Sequence, residues 1–269
     1  MKIMGIVNVT PDSFSDGGRW HDPAAAIAHG EALARAGADI LDIGGESTRP
    51  GSTRPSEADE LDRVLPVVAA LARAGHTVSI DTMRAEVARA ALDAGARLVN
   101  DVSGGLADPD MLSVVADAGV DYIAMHWRGH GDAMQQRAQY DDVVADVRAE
   151  LDDRIEAATR AGIDADRLVL DPGLGFAKTP EHNWQLMAAL TDFTALPYRI
   201  LVGASRKTFL GALRGDGEVV PPEERDVATS GTSLLCAQAG VWCVRVHDVT
   251  TTATALAVHE AVTRAGGST

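Results

Sequence analysis

Short apolar runs alternate with longer amphipathic stretches from one end of the sequence to the other. The apolar runs cover residues 3–9, 40–43, 77–80, 98–99, 122–125, 168–170, 200–202 and 242–246. The amphipathic stretches have helical spacing and cover residues 24–36, 57–73, 84–94, 109–118, 141–161, 180–190, 224–239 and 251–264. Continuous apolar runs are typical of parallel strands, because helices cover both faces of a parallel sheet. The pattern therefore predicts eight strand–helix units.

Proline and glycine mark the ends of several predicted helices. Pro23 stands at the start of the first amphipathic stretch, where its fixed φ suits the first helical turn. Gly37, Gly75, Gly95 and Gly162 each follow a predicted helix, at the position where a left-handed residue commonly ends it. These signals support the order of elements that the apolar pattern predicts.

Eight strand–helix units in 269 residues match the (β/α)8 TIM barrel, which typically takes about 250 residues. A doubly wound open sheet is the main alternative and usually has fewer strands. The Rossmann pattern GxGxxG is absent, since its nearest match at 173–178 lacks the third glycine, and no P-loop occurs. No change of composition marks a boundary. We therefore expect a single barrel domain over residues 1–269, with a surface loop at 215–224.

The charge balance excludes some classes of protein. Acidic residues outnumber basic ones by 39 to 24, and a net charge of −15 argues against binding nucleic acid or an anionic membrane. No apolar run is long enough for a transmembrane helix, and a strand that begins at Ile3 leaves no room for a signal peptide. Cys236 and Cys243 are too few for a disulfide framework, so we expect them to be reduced and buried. The sequence thus predicts a cytoplasmic protein.

Polar side chains stand where the predicted strands end. In a TIM barrel these ends meet on one face, which carries the active site. The side chains at or just after the ends belong to Asn8, Asp42, Asp81, Asn100, His126, Asp171, Lys207, Arg245 and His247. An aspartate or asparagine there could instead cap the next helix, as Asp81 could before the stretch at 84–94. Lysine, arginine and histidine cannot serve as such caps, so the whole set favours a ligand.

The residue types at these ends predict the class of ligand. Two carboxylates and an amide suit a flat heterocycle with ring N–H and amino groups, and they belong to Asp81, Asn100 and Asp171. Cationic donors suit a phosphate-like group, and they belong to Arg49, Lys207, Arg245 and His247. Glycine-rich segments at 16–18 and 44–51 allow the backbone to approach a ligand closely and to move. We therefore predict an enzyme that acts on an anionic heterocycle.

Two weaker signals point to other chemistry. His126 and His130 are four residues apart, a spacing that binds zinc on a helix, but the intervening Trp127-Arg128-Gly129 follows a strand. We expect no zinc site there. Ser205 lacks the GxSxG context of a nucleophile elbow, so we assign it no nucleophilic role.

Taken together, the strand-end segments resemble dihydropteroate synthase, an enzyme family of folate biosynthesis. In chain order they are GIVNVTPDSFSDGG (5–18), DIGGESTRPG (42–51), SIDT (79–82), NDVSGG (100–105), MH (125–126), DPGLGFAKT (171–179), GASRK (203–207) and VRVHD (244–248). The first two segments are highly specific. The resemblance covers nearly the whole chain.

The resemblance implies a transferase that condenses 6-hydroxymethyl-7,8-dihydropterin diphosphate with p-aminobenzoate to 7,8-dihydropteroate and pyrophosphate. It implies Mg²⁺ as the cofactor and a dissociative mechanism. In that mechanism pyrophosphate leaves first, the pterin stabilises a methylene cation, and the arylamine then attacks. It also implies a homodimer that sulfonamides inhibit.

Carried onto this sequence, the resemblance implies a role for each matching residue. The pterin pocket would comprise Asp81, Asn100, Met125, Asp171, Phe176, Lys207 and Arg245. The diphosphate would contact Asn8, Arg49, Arg245 and His247, with Asn8 also binding the metal. The p-aminobenzoate would lie near Thr48, Pro50, Phe176 and Thr208. The catalytic residues would be Asp81 and Lys207, with Phe14 and Asp16 on a first loop that covers the reacting centre.

Two related functions remain as alternatives. One is a pterin-binding barrel that transfers methyl groups from a folate to a corrinoid, which the GGESTRPG and SRK segments disfavour. The other is a pterin-binding paralogue without turnover. Three positions depart from the family pattern, namely Thr208 in place of a common serine, Ala177 in place of a common glycine, and the pair Trp127-Arg128.

Overall fold

Eight parallel strands form a closed barrel in the computed structural model, which describes residues 1–10, 23–46, 54–129, 134, 136–213 and 219–266. The strands are β1 (Lys2–Asn8), β2 (Ile40–Gly44), β3 (Val78–Asp81), β4 (Leu98–Asp101), β5 (Asp121–Met125), β6 (Leu168–Asp171), β7 (Arg199–Val202) and β8 (Cys243–Val246). They pair in sequence order, and β8 closes the ring against β1. The predicted (β/α)8 TIM barrel is confirmed.

Helices follow the strands and surround the barrel. They are α1 (Pro23–Arg35), α2 (Glu57–Arg73), α3 (Ala85–Asp93), α4 (Met111–Ala118), α5 (Val143–Arg160), α6 (Pro180–Ala188), α7 (Leu190–Thr194), α8 (Thr208–Gly211), α9 (Asp226–Gln238) and α10 (Val249–Gly266). Short 3-10 turns cover Ala165–Arg167 and Pro222–Arg225. The second turn lies in the stretch predicted as a surface loop, of which residues 215–218 are outside the described residues.

The predicted helix ends are confirmed at several positions. Helix α1 begins at Pro23. Gly37, Gly75, Gly95 and Gly162 follow their helices with φ of 109°, 91°, 113° and 101°. An L side chain is strained at such angles, so glycine suits these positions.

Apolar side chains fill the lower part of the barrel and polar side chains stand above them. The lower layer takes one residue from each of seven strands, namely Met4, Ile40, Leu98, Ile123, Val169, Leu201 and Cys243. Side chains alternate along a strand, so the next inward-facing position lies two residues further on. On four of these strands that position holds a polar residue, namely Asp42, Asn100, Asp171 and Arg245. The barrel thus carries a polar floor on a closed apolar base.

The two cysteines are free and buried, as the sequence predicts. Burial raises the pKa of Cys236 to about 12, so its thiol is protonated near neutral pH. None of the helices in the described part of the chain combines the length and the apolar character needed to cross a membrane.

Candidate active site

A cavity of about 760 Å³ opens at the carboxyl ends of the strands. All predicted site residues that the structure describes line it, namely Asn8, Asp81, Asn100, Met125, Asp171, Phe176, Lys207, Thr208, Arg245 and His247. The other predicted site residues lie outside the described residues, and these are Phe14, Asp16, Thr48, Arg49 and Pro50. The barrel therefore brings residues from six strand ends and two following loops into one site.

Arg245 lies at the centre of the floor between two carboxylates. Its Nε donates to Asp42 Oδ2 at 2.6 Å, and its Nη2 donates to Asp81 Oδ2 at 2.6 Å. Asn100 Nδ2 donates to the same Asp42 oxygen at 2.9 Å. Burial disfavours the guanidinium charge, but the two carboxylates raise the pKa of Arg245 overall. Arg245 therefore stays charged and is held in one orientation.

Asp81 belongs to this floor and does not cap a helix. The residue before α3 is Arg84, and the first amide of that helix, Ala85 N, donates to Asp108 Oδ2 at 2.8 Å. Burial raises the pKa of Asp81 to about 7, while the ion pair with Arg245 acts in the opposite direction. Of the two interpretations that the sequence allowed for Asp81, the structure favours the cavity residue.

Sequence reasoning left Asp42 without a role, although the structure places it beneath the ligand-facing groups. Its side chain is fully buried and orients both Arg245 and Asn100. Its Oδ1 atom has no hydrogen-bond partner within the described residues. Strand alternation could have identified it, because Asp42 lies two residues after the inward-facing Ile40.

Asp171 and Lys207 form the second charged part of the cavity. Asp171 Oδ1 accepts a hydrogen bond from Gly173 N at 2.7 Å, and burial raises the pKa of the carboxyl. Lys207 Nζ donates to the Leu174 carbonyl and lies 4.5 Å from the centre of the Phe176 ring. Burial lowers the pKa of Lys207 to about 8, although Asp171 opposes that shift. This pair supplies an acceptor and a donor beside an aromatic wall.

His247 is oriented by Ser205. The Ser205 hydroxyl accepts from His247 N at 3.1 Å and lies 2.9 Å from His247 Nδ1. The hydroxyl can exchange a hydrogen bond with Nδ1 while it accepts from the amide, because it has one hydrogen and two lone pairs. Ser205 therefore engages Nδ1 and the backbone amide of His247 and holds the ring in one orientation.

Arg206 is next to Lys207 in the sequence, but its guanidinium forms an ion pair with Asp226. Its Nε and Nη2 donate to the two oxygens of Asp226 at 2.8 and 2.7 Å. Its φ of 59° is in the left-handed region, and Arg225 Nη1 donates to its carbonyl at 2.7 Å. Arg206 therefore shapes the turn that presents Lys207.

His126 lies in a hydrogen-bonded cluster. Its ring nitrogens are 2.9 Å from Lys178 Nζ and 3.0 Å from Glu150 Oε2. His130 is outside the described residues, and within those residues no three His, Cys, Asp or Glu side chains are grouped to hold a metal ion. Arg128 Nε donates to Glu150 Oε1 at 3.0 Å. Lys178, which sequence reasoning also left without a role, belongs to this cluster and is buried, as His126 is.

Comparisons with known proteins identify the relatives of this chain. A family model described as "Pterin binding enzyme" matches residues 4–247. The dihydropteroate synthase of Mycobacterium leprae is 53% identical over 269 residues, which cover 99% of this chain and 95% of that protein. A structure of Xanthomonas albilineans dihydropteroate synthase with 4-aminobenzoic acid is similar with a TM-score of 0.90 and 48% identity, covering 97% of this chain and 93% of that one. A Yersinia pestis dihydropteroate synthase in a sulfonamide drug complex has a TM-score of 0.91 and 41% identity, covering 98% and 94%.

Proposed function

The chain belongs to the pterin-binding enzyme family and, within it, to the dihydropteroate synthases, and from this premise we propose how its residues carry out the reaction. It is a transferase of folate biosynthesis. It condenses 6-hydroxymethyl-7,8-dihydropterin diphosphate with p-aminobenzoate, and it releases 7,8-dihydropteroate and pyrophosphate. The roles proposed for the residues rest on one observation, the grouping of acidic and basic side chains at the floor of the cavity. These side chains belong to Asp42, Asp81, Asp171, Arg245 and Lys207.

The pterin lies on this floor and is recognised by its ring edge. The Asp171 carboxylate accepts hydrogen bonds from a ring N–H and from the exocyclic amine of the pterin. The Asn100 amide and Asp81 form hydrogen bonds with the remaining polar atoms of the ring. Lys207 donates to the ring. Asn100 and Asp171 are buried, and a buried polar group without a partner costs about 1–3 kcal/mol. The site therefore favours a ligand that matches each polar group.

The apolar contacts to the pterin come from two side chains that border the same floor. Met125 is buried at the end of β5, and Phe176 packs against it in one apolar cluster. Both line the cavity. They hold the flat ring between apolar surfaces while its edge pairs with the polar groups.

The diphosphate binds towards Asn8 and His247, with Arg49 and Arg245 as cationic partners. His247 donates from Nε2, because Ser205 engages its other nitrogen. The half-buried amide of Asn8 lines the cavity and suits Mg²⁺, an ion that prefers oxygen ligands and is usually bound together with substrate phosphates. When bound, Mg²⁺ neutralises charge on the departing pyrophosphate.

The p-aminobenzoate lies between Phe176 and the start of α8, and its other proposed contacts, Thr48 and Pro50, are outside the described residues. Thr208 begins α8, is exposed and lines the cavity, so its hydroxyl is available to the carboxylate. Sulfonamides share the arylamine shape and inhibit by occupying this position.

We propose a dissociative mechanism on the basis of the charges of the floor. The carboxyl groups of Asp42, Asp81 and Asp171 outnumber the cations Arg245 and Lys207, and their oxygens, as electron-rich acceptors, stabilise a developing methylene cation. Asp81 and Lys207 act directly at the pterin. The first loop, with Phe14 and Asp16, excludes water that would trap the cation.

The direct test is the release of pyrophosphate by the purified protein from the pterin diphosphate. Release that requires both p-aminobenzoate and Mg²⁺ is the expected result. Binding of the pterin without release, at high enzyme concentration and in a folded sample, would instead identify a non-catalytic paralogue. Transfer of a methyl group to a corrinoid would identify the methyltransferase alternative.

We propose that the chain acts as one barrel domain in a cytoplasmic homodimer. Helices α9 and α10 expose the apolar side chains of Val227, Leu235, Val258 and Val262, each at least half exposed. A second copy would cover this face. The free cysteines suit a reducing compartment.

Replacing both Val258 and Val262 by glutamate should separate the two copies while leaving the barrel folded. Charged side chains cannot be buried in an apolar contact without a large cost. Light scattering during size-exclusion chromatography measures the mass, with Val219→Glu as the matched control on another surface. A variant that keeps the mass of the native protein would show that this face is not the contact.

A further inference from the structure

Lys178, His126 and Glu150 form a chain of hydrogen bonds at the edge of the cavity. Lys178 Nζ lies 2.9 Å from His126 Nδ1, and His126 Nε2 lies 3.0 Å from Glu150 Oε2. Lys178 is only 4% exposed and His126 only 1%. No carboxylate among the described residues lies within ion-pair distance of Lys178 Nζ. Burial and the charge of Lys207 lower the pKa of Lys178, while Asp171 and the hydrogen bonds of Nζ favour its charged form.

The protonation state of His126 follows from its two hydrogen-bond partners, Glu150 and Lys178. Partial burial would raise the pKa of Glu150, but hydrogen bonds from His126 and Arg128 hold it at about 2, so Glu150 is a carboxylate. His126 Nε2 must therefore carry a proton to donate to it. Burial and the charge of Lys178 lower the pKa of His126 to about 4, so the ring is neutral and Nδ1 accepts from Lys178.

The other two N–H groups of Lys178 hold the loop that follows β6. Nζ donates to Gly173 O at 3.0 Å and to Phe176 O at 3.1 Å. In the charged form of Lys178, all three hydrogens at Nζ therefore have acceptors. The Phe176 amide also donates to Gly173 O at 3.1 Å, which draws the loop into a tight turn.

The same loop is held at its next carbonyl by a second side chain. Tyr140 Oη donates to Ala177 O at 3.0 Å, and Ala177 has a φ of 47°, in the left-handed region. A strained, non-glycine residue persists only where its surroundings fix it. The carbonyls of this loop therefore accept from the lysine and the tyrosine, and the Phe176 ring lines the cavity.

We propose that Lys178 is a positioning residue for the pterin: it sets the Phe176 wall and the turn beside Asp171 through two loop carbonyls, and His126 and Glu150 orient its ammonium. This inference rests on the proposed function, because it assigns the positioned wall to the pterin. Lys178 Nζ is engaged by His126 and two loop carbonyls, so we expect its loss to affect affinity more than the rate of the bound complex.

The test replaces Lys178 by methionine, which keeps the length of the side chain and removes the charge. We expect the KM for the pterin diphosphate and the Kd for 7,8-dihydropteroate, measured by titration calorimetry, to rise about tenfold. We expect kcat to change less than threefold. Lys2→Met is the matched control, because Lys2 lies at the opposite end of the barrel in an exposed ion pair with Asp39.

A second variant covers the case in which Lys178→Met fails to fold. Glu150 is partly exposed, so Glu150→Gln should fold, and we expect it to weaken product binding two- to threefold in the same direction. Nitrogen-15 spectra of the native imidazole should show the proton of His126 on Nε2. A proton on Nδ1 would overturn the proposed chain.

Two results would overturn the positioning role. Product affinity within twofold of the native value in both variants, with a lower melting temperature, would mean that the hydrogen bonds among Lys178, His126 and Glu150 only stabilise the fold. A loss of kcat above a hundredfold with unchanged affinity would place Lys178 in the chemistry itself. If the native protein binds product but releases no pyrophosphate, the proposed function fails while the affinity comparison still decides the role of Lys178.

Discussion

Among single residues, Asp171 has the most demanding position in the cavity. Its carboxyl is buried, one oxygen accepts from the Gly173 amide, and burial raises its pKa. A carboxyl in this position favours a ligand with two adjacent donors, because such a ligand stabilises the ionised form. Pairing with the ring edge of the pterin therefore offsets the cost of burying the charge.

Asp171→Asn should lower the affinity for 7,8-dihydropteroate by about 1–3 kcal/mol, roughly 5- to 150-fold. The amide presents a donor where the pterin also presents donors. Calorimetric titration measures the effect, and Asp121→Asn is the control, since Asp121 pairs with Arg199 at 2.7 Å at the other end of the barrel. Unchanged affinity in Asp171→Asn would mean that this carboxyl serves the fold and that the pterin binds elsewhere.

The residues that sequence reasoning missed are those whose role depends on a distant partner. Asp42 and Arg245 are 203 residues apart, and His126 and Lys178 are 52 apart. Asp42, His126 and Arg245 lie at or next to strand ends that were predictable from the apolar pattern, and Lys178 lies in the loop that follows β6. Their pairing was not, because it follows from which strands close the ring and from side-chain rotamers.

At the scale of elements, the loop between β6 and α6 combines the most unusual backbone conformations of the site. Gly173, Gly175 and Ala177 all have positive φ, at 69°, 78° and 47°. A Cβ on Gly173 would lie 2.4 Å from the His126 carbonyl oxygen, a backbone atom that cannot move aside cheaply. Gly173 is thus required for contact between this loop and the end of β5.

Gly173→Ala should destabilise the protein more than a matched glycine substitution does. Gly119 ends α4 with a φ of 60°, and a Cβ added there would meet nothing within 4 Å, so Gly119→Ala measures the backbone strain alone. We expect Gly173→Ala to lower the free energy of unfolding by roughly 1–3 kcal/mol more than Gly119→Ala does, because of the steric contact with the His126 carbonyl. Urea unfolding of both variants tests this, and equal losses would show that the loop moves to accept the methyl group.

Elements of several turns were predicted well, whereas single-turn elements were not. The predicted and observed strands differ by at most two residues at either end, as between 98–99 and Leu98–Asp101. Helices α7 and α8 were missed, since five and four residues are too few to show a helical period. Helix α8 carries Thr208, so this omission concerned the site itself.

On the scale of the whole molecule, buried titratable groups make stability depend on pH in two opposing ways. The pKa of His126 is lowered from 6.5 to about 4 by burial and by Lys178. The neutral imidazole of His126 therefore contributes its full stabilisation of the fold above the unfolded pKa of 6.5. This contribution is lost as the pH falls from 6.5 to 4, because the unfolded state takes up a proton first. Burial raises the pKa of Asp81, Asp101 and Asp171, and these groups contribute with the opposite sign.

His126→Gln should remove one of these two effects. Between pH 6.5 and 4 the native protein should lose about 3 kcal/mol more stability than the variant, since each pKa unit corresponds to 1.36 kcal/mol. Urea unfolding at several pH values measures the difference, with His259→Gln on α10 as the matched control. If stability changes with pH in the same way for the native protein and for His126→Gln, His126 takes up its proton as readily in the folded state as in the unfolded state.

The three lysines lie in three different surroundings, and acylating reagents should report on each of them. Lys2 is about half exposed. Lys178 is 4% exposed with three partners at Nζ, and Lys207 lines the cavity with a pKa lowered to about 8. Lys2 should react at once, Lys207 only while the cavity holds no ligand, and Lys178 only after unfolding. One mass spectrum of the modified protein would then give both the folded fraction and the occupancy of the site.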